Sequence, residues 1–213
     1  MSQLFTVKNM LFIFQGLKIT LYISVISILL STLFGTILGV LRSGKKSPLS
    51  VFAAVYIEIV RNVPLLLWIY VVFVVLKLKS IDAGVVSMTI FTSAAIGEIV
   101  RGGLHSVGKG QWEAAKSQGF RKLQTLRYII LPQALRNMIP AIVSQFVTVI
   151  KDTCFLWSVV AIQELTGKVT ILMGRYYQID QIFVLYGLLA LIYFAINFSI
   201  SQCSRWLQGK WSY

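Results

Sequence analysis

Long apolar segments separated by short polar connections dominate the chain. A helix that crosses a hydrocarbon core of about 30 Å needs about 20 residues. Two segments of this length contain no charged residue, 19–41 and 181–204. Three more are long enough but are interrupted by charges, 48–76, 83–104 and 137–163. The pattern predicts an all-α integral membrane protein with five transmembrane helices.

The segments outside these spans define the domain boundaries. Residues 1–14 lack the charged start and the small-residue cleavage site of a signal peptide, so we expect an interfacial lead-in. The membrane domain is predicted to occupy 15–207, with its longest polar connection at about 105–132. Residues 208–213 are expected to form a tail.

Composition agrees with a membrane protein and excludes other classes. The 213 residues are only 13% charged, and their mean hydropathy is +0.78, which leaves too little polar surface to cover a soluble globule. A formal net charge of +13 would suggest a nucleic-acid partner in a soluble protein. Here the cations lie beside apolar runs, so they are better explained by membrane topology, and no nucleic-acid partner is predicted. The two cysteines lack the spacing of a metal site.

Lysines and arginines are distributed unevenly between the two sides that the spans define. Cytoplasmic segments of membrane proteins carry an excess of these residues. With the N-terminus outside, eleven fall on the cytoplasmic side, namely Arg42, Lys45, Lys46, Lys109, Lys116, Arg121, Lys122, Arg127, Arg136, Arg205 and Lys210. Six then fall on the outer side, namely Lys8, Lys18, Lys77, Lys79, Lys168 and Arg175. The bias predicts an N-out, C-in topology and a cytoplasmic 105–132 connection.

Six charged residues interrupt the three middle spans: Glu58, Arg61, Glu98, Arg101, Lys151 and Asp152. A charge at the bilayer centre costs at least about 2.5 to 3.5 kcal/mol, so these groups need partners or a water-filled cavity. One interpretation is that Glu58 with Arg61, and Glu98 with Arg101, form ion pairs within a helix that fix packing. The other is that the six line a substrate path, with Arg61 the first candidate for binding a carboxylate. The sequence leaves both open.

The polar connection contains a short predicted helix at 111–118, which Gly119 ends because glycine adopts left-handed backbone angles without steric cost. An amphipathic helix is predicted after it, and we expect Pro132 to separate that helix from the fourth span. Glu113 has two interpretations. It could be a solvated partner of Lys109 or Lys116, or it could contact another protein.

The spacing around Glu113 resembles the EAA loop in the membrane subunits of binding-protein-dependent ABC importers. The matching positions are Glu113-Ala114-Ala115, Gly119 after three intervening residues, Ile129, and Leu131-Pro132. Four other blocks resemble the polar amino acid branch of that family, the histidine, glutamine and arginine type. They lie at 58–65 (EIVRNVPL), 98–103 (EIVRGG), 151–153 (KDT) and 164–167 (ELTG). The resemblance covers roughly 15–207.

The resemblance implies a type I importer transmembrane domain in a bacterial plasma membrane, surrounded by lipid. Such a domain works as a dimer with an identical or homologous permease subunit. Its EAA loop contacts a cytoplasmic ATPase dimer through the positions that match Glu113, Ala114, Ala115, Gly119, Leu131 and Pro132. The ATPase binds ATP and Mg²⁺, so this chain is expected to bind no cofactor and to catalyse no reaction. An extracytoplasmic amino-acid-binding protein or domain is expected on another chain.

Two other classes remain as alternatives. Intramembrane carboxylates also serve ion-coupled carriers and channels, although a carrier needs no cytoplasmic docking helix. A membrane scaffold or sensor would accommodate the docking loop but would not explain the charged spans. Residues 39–46 (GVLRSGKK) fit most of a P-loop, yet they lack its final Ser or Thr and follow a predicted membrane helix rather than a strand. Gly35 and Gly39 instead predict close packing against another helix.

Overall fold

The structure is a computed structural model that describes residues 4–44 and 46–211. Within these residues the secondary structure is helical, without strands. The helices are α1 (Val7–Ser43), α2 (Pro48–Asn62), α3 (Leu65–Leu76), α4 (Ser80–His105), α5 (Lys109–Ser117), α6 (Lys122–Thr125), α7 (Leu131–Asp152), α8 (Phe155–Val160), α9 (Leu165–Arg175) and α10 (Ile179–Trp211). A π-helical segment, Leu126–Ile130, joins α6 to α7.

The five predicted spans are present, but one of them is broken. Helices α1, α4 and α10, and the run from α6 to α8, are each long and apolar enough to cross a membrane. Together, α2 and α3 satisfy the same test, but they meet at an angle of 108°. The all-α, five-span prediction is therefore confirmed, with α2 and α3 counted as one broken span at 48–76.

The break in the second span lies at Val63 and Pro64. Proline has no backbone N–H, and its ring disfavours helical angles in the residue before it. Val63 accordingly has an extended backbone, with φ −105° and ψ 131°. Helix α2 ends at Asn62, one residue earlier, and α3 begins at Leu65. The bend places the end of α2 inside the membrane domain.

Helices α1 and α4 form the most closely packed pair, and their contact depends on small residues. A β-carbon on Gly35 would lie 2.7 Å from the carbonyl oxygen of Ser93, and one on Gly39 would lie 2.5 Å from that of Gly97. No side chain fits at these distances. The predicted close approach at Gly35 and Gly39 is confirmed, and residues 39–43 of the P-loop-like segment are the last residues of a membrane helix rather than a loop after a strand.

The fourth span begins earlier than predicted. Pro132 was expected to separate the amphipathic helix from the span, but helix runs through it from Lys122 to Asp152. The Leu131 N–H bonds to the carbonyl of Leu126, five residues back, which is the wider π turn. Such a turn relieves the clash that the Pro132 ring would otherwise make with the carbonyl of residue 128. The short α8 completes the span after a break at Thr153 and Cys154.

The start of the chain packs against the end of the membrane domain. Helix α1 begins at Val7, so most of the expected 1–14 lead-in continues directly into the first span. Leu4 and Ile13 are buried in a cluster with Leu165 and Leu172 of α9 and with Leu185 of α10. The lead-in is therefore packed on protein rather than separate from it, and its residues 1–3 lie outside the described residues.

The last helix continues beyond the predicted span. Helix α10 extends to Trp211, so most of the expected 208–213 tail is helical, and residues 212 and 213 lie outside the described part of the chain. Among the cations of the charge count, Lys45 also lies outside it.

Candidate functional site

Arg42, in the last turn of α1, joins acidic side chains from two other helices. Its Nη1 donates a hydrogen bond to Glu98 Oε2 on α4 at 2.8 Å, and its Nη2 donates to Glu58 Oε1 on α2 at 2.7 Å. A guanidinium group has several donors in a fixed plane, so it can bind two carboxylates at once. Three helices therefore meet in a charge cluster formed by Arg42, Glu58, Arg61, Glu98 and Arg101.

Glu98 lies at the centre of the charge cluster. Arg101, one turn later on α4, donates from Nη2 to Glu98 Oε1 at 2.6 Å and from Nε to both oxygens at 3.1 Å. The predicted Glu98–Arg101 pair is confirmed. The predicted Glu58–Arg61 pair is wrong, because Glu58 pairs with Arg42 instead. Arg61 approaches Glu98, with its Nη1 3.8 Å from Oε2.

The charge cluster is closed on one side and open on the other. The side chains of Arg42 and Glu98 are 17% and 23% exposed, whereas those of Glu58 and Arg61 are 58% and 44% exposed. An exposed charge at membrane depth requires water, a ligand or another protein against it. Glu58 and Arg61 therefore form the side of the cluster that is available for contact.

Lys151 and Asp152 do not join the charge cluster. They lie at the end of α7, just before the break at Thr153, with Lys151 exposed and Asp152 half-buried. Neither side chain forms an ion pair with any residue in the described part of the chain. Of the six predicted path residues, four therefore belong to the charge cluster, and the other two form no ion pair within the described residues.

The polar connection forms the helix that the sequence predicted. Helix α5 extends from Lys109 to Ser117, and Gly119 follows with a left-handed φ of +83°. The N–H groups of Gly119 and Phe120 bond to the carbonyls of Lys116 and Ala115, both at 3.0 Å, which closes the helix end. The predicted end of the helix at Gly119 is confirmed.

Most of the EAA-like positions lie on the surface. Ala115 is the buried residue of α5, and Glu113 and Ala114 are exposed. Glu113 forms no ion pair with Lys109, Lys116 or any other described residue. Leu131 and Pro132, farther along, are also exposed. The helix therefore presents a free carboxylate at one end of the molecule.

A cavity of about 410 Å³ connects α5 with the ends of two membrane helices. Ser43 and Gly44 line it from the end of α1, His105 lines it from the end of α4, and Lys109 and Trp112 line it from α5. Ser43 directly follows Arg42, so the charge cluster and α5 lie at the same end of the molecule. Helix α5 therefore lies close to the end of α1 that carries Arg42.

A second polar group lies buried under α9. Glu164 is fully buried and caps α9, accepting bonds from the N–H groups of Thr166 at 2.8 Å and Gly167 at 2.9 Å. The hydroxyls of Thr20 on α1 and Tyr193 on α10 donate to its Oε2 at 3.2 and 3.3 Å. This carboxylate ties three helices together.

Residues 10–213 match the family described as binding-protein-dependent transport system inner membrane component. The chain belongs to this family. It is a multi-pass inner membrane component and a membrane subunit of an ABC importer, as the resemblance at 113–132 implied.

Several relatives and solved structures are similar to this importer subunit. It is 44% identical to the probable glutamine ABC transporter permease protein GlnP of Bacillus subtilis (strain 168), with 95% of each chain covered. It is 33% identical to the glutamate/aspartate import permease protein GltK of Escherichia coli O157:H7, with 71% of this chain and 73% of that one covered. The crystal structure of an amino acid ABC transporter with histidines has a TM-score of 0.87 at 28% identity, with 96% of each chain covered. The MetNI methionine ABC transporter, in inward-facing conformations, shares the fold, with a TM-score of 0.72 at 19% identity and 94% of this chain and 98% of that one covered.

Two residues of the importer subunit had no assigned role in the sequence interpretation. Arg42 was counted as a loop cation, although it follows Gly35 and Gly39 at helical spacing and so shares their face toward α4. That spacing was the available signal. Glu164 stood in a recognised block, and its place directly before a helix is typical of a capping residue. Its bonds to Thr20 and Tyr193 join residues far apart in sequence, so no local pattern indicated them.

Proposed function

We propose that this subunit carries a polar amino acid from the outside to the cytoplasm, with L-glutamine as the first substrate to test. The names of its relatives support this substrate class. A zwitterionic amino acid brings both a carboxylate and an ammonium, and charged groups inside a membrane domain can match both. The proposed path residues are Glu58, Arg61, Glu98, Arg101, Lys151 and Asp152.

Within this path, Arg61 is the proposed contact for the substrate carboxylate. Its guanidinium is half-exposed and lies 3.8 Å from its nearest carboxylate oxygen, beyond hydrogen-bond distance. Its donors are therefore available for a bidentate bond. Lys151 and Asp152 are proposed to contact the substrate nearer the outer side, because neither has an ion-pair partner among the described residues.

The proposed link to ATP hydrolysis is α5, docked on a cytoplasmic ATPase. The observation that carries this proposal is the cavity at which α5 meets the ends of α1 and α4, next to Arg42. Glu113 is exposed and unpaired in the described residues, so it can bind a cation of the partner. In this proposal ATP and Mg²⁺ bind only to the ATPase dimer. A second permease subunit completes the path, and an extracytoplasmic binding protein delivers the substrate.

Reconstitution of the subunit with its ATPase and binding protein tests the proposal. Uptake of labelled L-glutamine into proteoliposomes should require both ATP and the binding protein. An ATPase variant that binds but does not hydrolyse ATP is the control and should give no uptake. Uptake driven by an ion gradient without ATP would instead support a secondary carrier, and no uptake under either condition would support a scaffold.

A further inference from the structure

We propose that Arg42 is a positioning residue of the transport path, which keeps Arg61 free to bind the substrate carboxylate. The inference rests on the proposed role of Arg61. The charge cluster contains three arginines and two glutamates, so the arginines compete for carboxylates. Which arginine remains free depends on how the helices hold the other two.

Arg101 is held by its own helix. It lies one turn after Glu98 on α4 and contacts it with two nitrogens, the shorter distance being 2.6 Å. Pairs at this spacing form within a single helix and need no tertiary contact. Arg101 therefore occupies one side of the Glu98 carboxylate, mainly Oε1, whatever the neighbouring helices do.

Arg42 is held by the packing of α1 on α4. Gly39, one turn before Arg42, lies against the carbonyl of Gly97, which directly precedes Glu98. At this contact the two helices cannot approach each other more closely. Arg42 consequently reaches the remaining oxygen of Glu98 at 2.8 Å and extends its second nitrogen to Glu58 at 2.7 Å.

Arg61 is the arginine that remains. It lies three residues after Glu58 on α2, a spacing at which the two side chains would pair if Glu58 were free. Arg42 prevents that pairing by binding Glu58, and Arg42 and Arg101 together occupy Glu98. The Asn62 amide also donates to Glu58 Oε2, at 3.5 Å. Removing Arg42 should free Glu58 Oε1 and Glu98 Oε2, so that Arg61 turns to these carboxylates and withdraws from the path.

A set of variants tests this competition by equilibrium binding of labelled L-glutamine to the complete, nucleotide-free transporter in nanodiscs without binding protein. Arg42→Gln should weaken binding by about 10- to 100-fold, the range expected when hydrogen bonds to a charged group are lost. Glu58→Gln in the Arg42→Gln background should restore part of the lost binding, because it removes one of the two carboxylates that compete for Arg61. The affinity of Arg42→Lys for glutamine should lie between those of the wild type and Arg42→Gln, because a lysine ammonium lacks the planar group with which arginine holds two carboxylates.

Two controls separate this inference from simpler explanations. Melting temperature and elution volume are measured for every variant. If Arg42→Gln does not fold, Arg42→Lys takes its place as the test of losing the Arg42 guanidinium. Arg61→Gln tests the proposed function itself. If Arg61→Gln binds glutamine as tightly as the wild type does, the proposed role of Arg61 is wrong. If Arg61→Gln weakens binding but the Arg42→Gln, Glu58→Gln double variant is no better than Arg42→Gln, the positioning role of Arg42 is wrong.

Discussion

Gly39 on α1 faces the carbonyl oxygen of Gly97 on α4, and a β-carbon at residue 39 would lie 2.5 Å from that oxygen. This contact holds together the two helices that carry Arg42 and Glu98. Because Gly39 is one turn before Arg42 and Gly97 directly precedes Glu98, this close contact positions the Arg42 backbone beside Glu98.

Gly39→Ala should destabilise the subunit, because the added methyl group must push α1 away from α4. Overpacking of this kind costs about 1 to 3 kcal/mol. Thermal unfolding in detergent measures the effect, and Gly187→Ala on α10 is the control, since its β-carbon would meet nothing within 4 Å. Equal melting temperatures for the two variants would show that the α1–α4 contact is not tight.

Gly119→Ala should weaken the link between ATP hydrolysis and transport without disturbing the membrane helices. The φ of +83° is unfavourable for alanine by about 1 kcal/mol, so the end of α5 should open. The measurement is binding-protein-stimulated ATP hydrolysis. Gly110→Ala, also in α5 and also in open space, is the control and should retain full stimulation. A loss in both variants would point to side-chain bulk rather than backbone angle.

Glu164→Ala should lower the stability of the subunit by about 2 kcal/mol or more, because it leaves the start of α9 uncapped and removes an acceptor of the Thr20 and Tyr193 hydroxyls. Glu164→Gln keeps one carbonyl oxygen and should fall between alanine and the wild type. Thermal unfolding in detergent distinguishes the three. An alanine variant as stable as the wild type would exclude a structural role for this buried carboxylate.

Asp152→Asn should reduce glutamine uptake while the complex still assembles and hydrolyses ATP. Asp152 lies at a break in the fourth span and has no ion-pair partner in the described residues, so its charge is available to a substrate ammonium. Asp180→Asn, an exposed carboxylate in the first turn of α10, is the matched control. Uptake that stays equal in both variants would remove Asp152 from the proposed path.

Local sequence patterns predicted most of the fold. The spans follow from length and apolar content, which are properties of each segment alone, and α5 follows from helix formers ended by Gly119. The bend at Val63 and Pro64 was missed because hydropathy does not respond to backbone angles, although the proline was visible. The continuous helix through Pro132 was missed because a π turn absorbs the proline, and no residue pattern announced that turn.

The candidate site was predicted less completely, because it depends on which helices meet. Spacing along one helix made Arg61 the nearest partner of Glu58, and the structure gives that place to Arg42, sixteen residues earlier on another helix. The Glu98–Arg101 pair needs no tertiary contact, and it was predicted correctly. Spacing therefore predicts a pair within one helix only where no other helix supplies a competing partner, as α1 does for Glu58 through Arg42.

Glu113→Lys tests the central claim most directly, by measuring ATP hydrolysis and glutamine uptake together in the reconstituted complex. The claim is that α5 transmits the movement of a cytoplasmic ATPase to the charged path. Asp82→Lys is the control. It is the same charge reversal in the first turn of α4, at the end of that helix away from α5, and this variant should hydrolyse ATP and take up glutamine like the wild type. We predict that Glu113→Lys loses both binding-protein-stimulated hydrolysis and uptake while the membrane subunit remains folded. Unchanged stimulation and unchanged uptake in this variant would contradict the account.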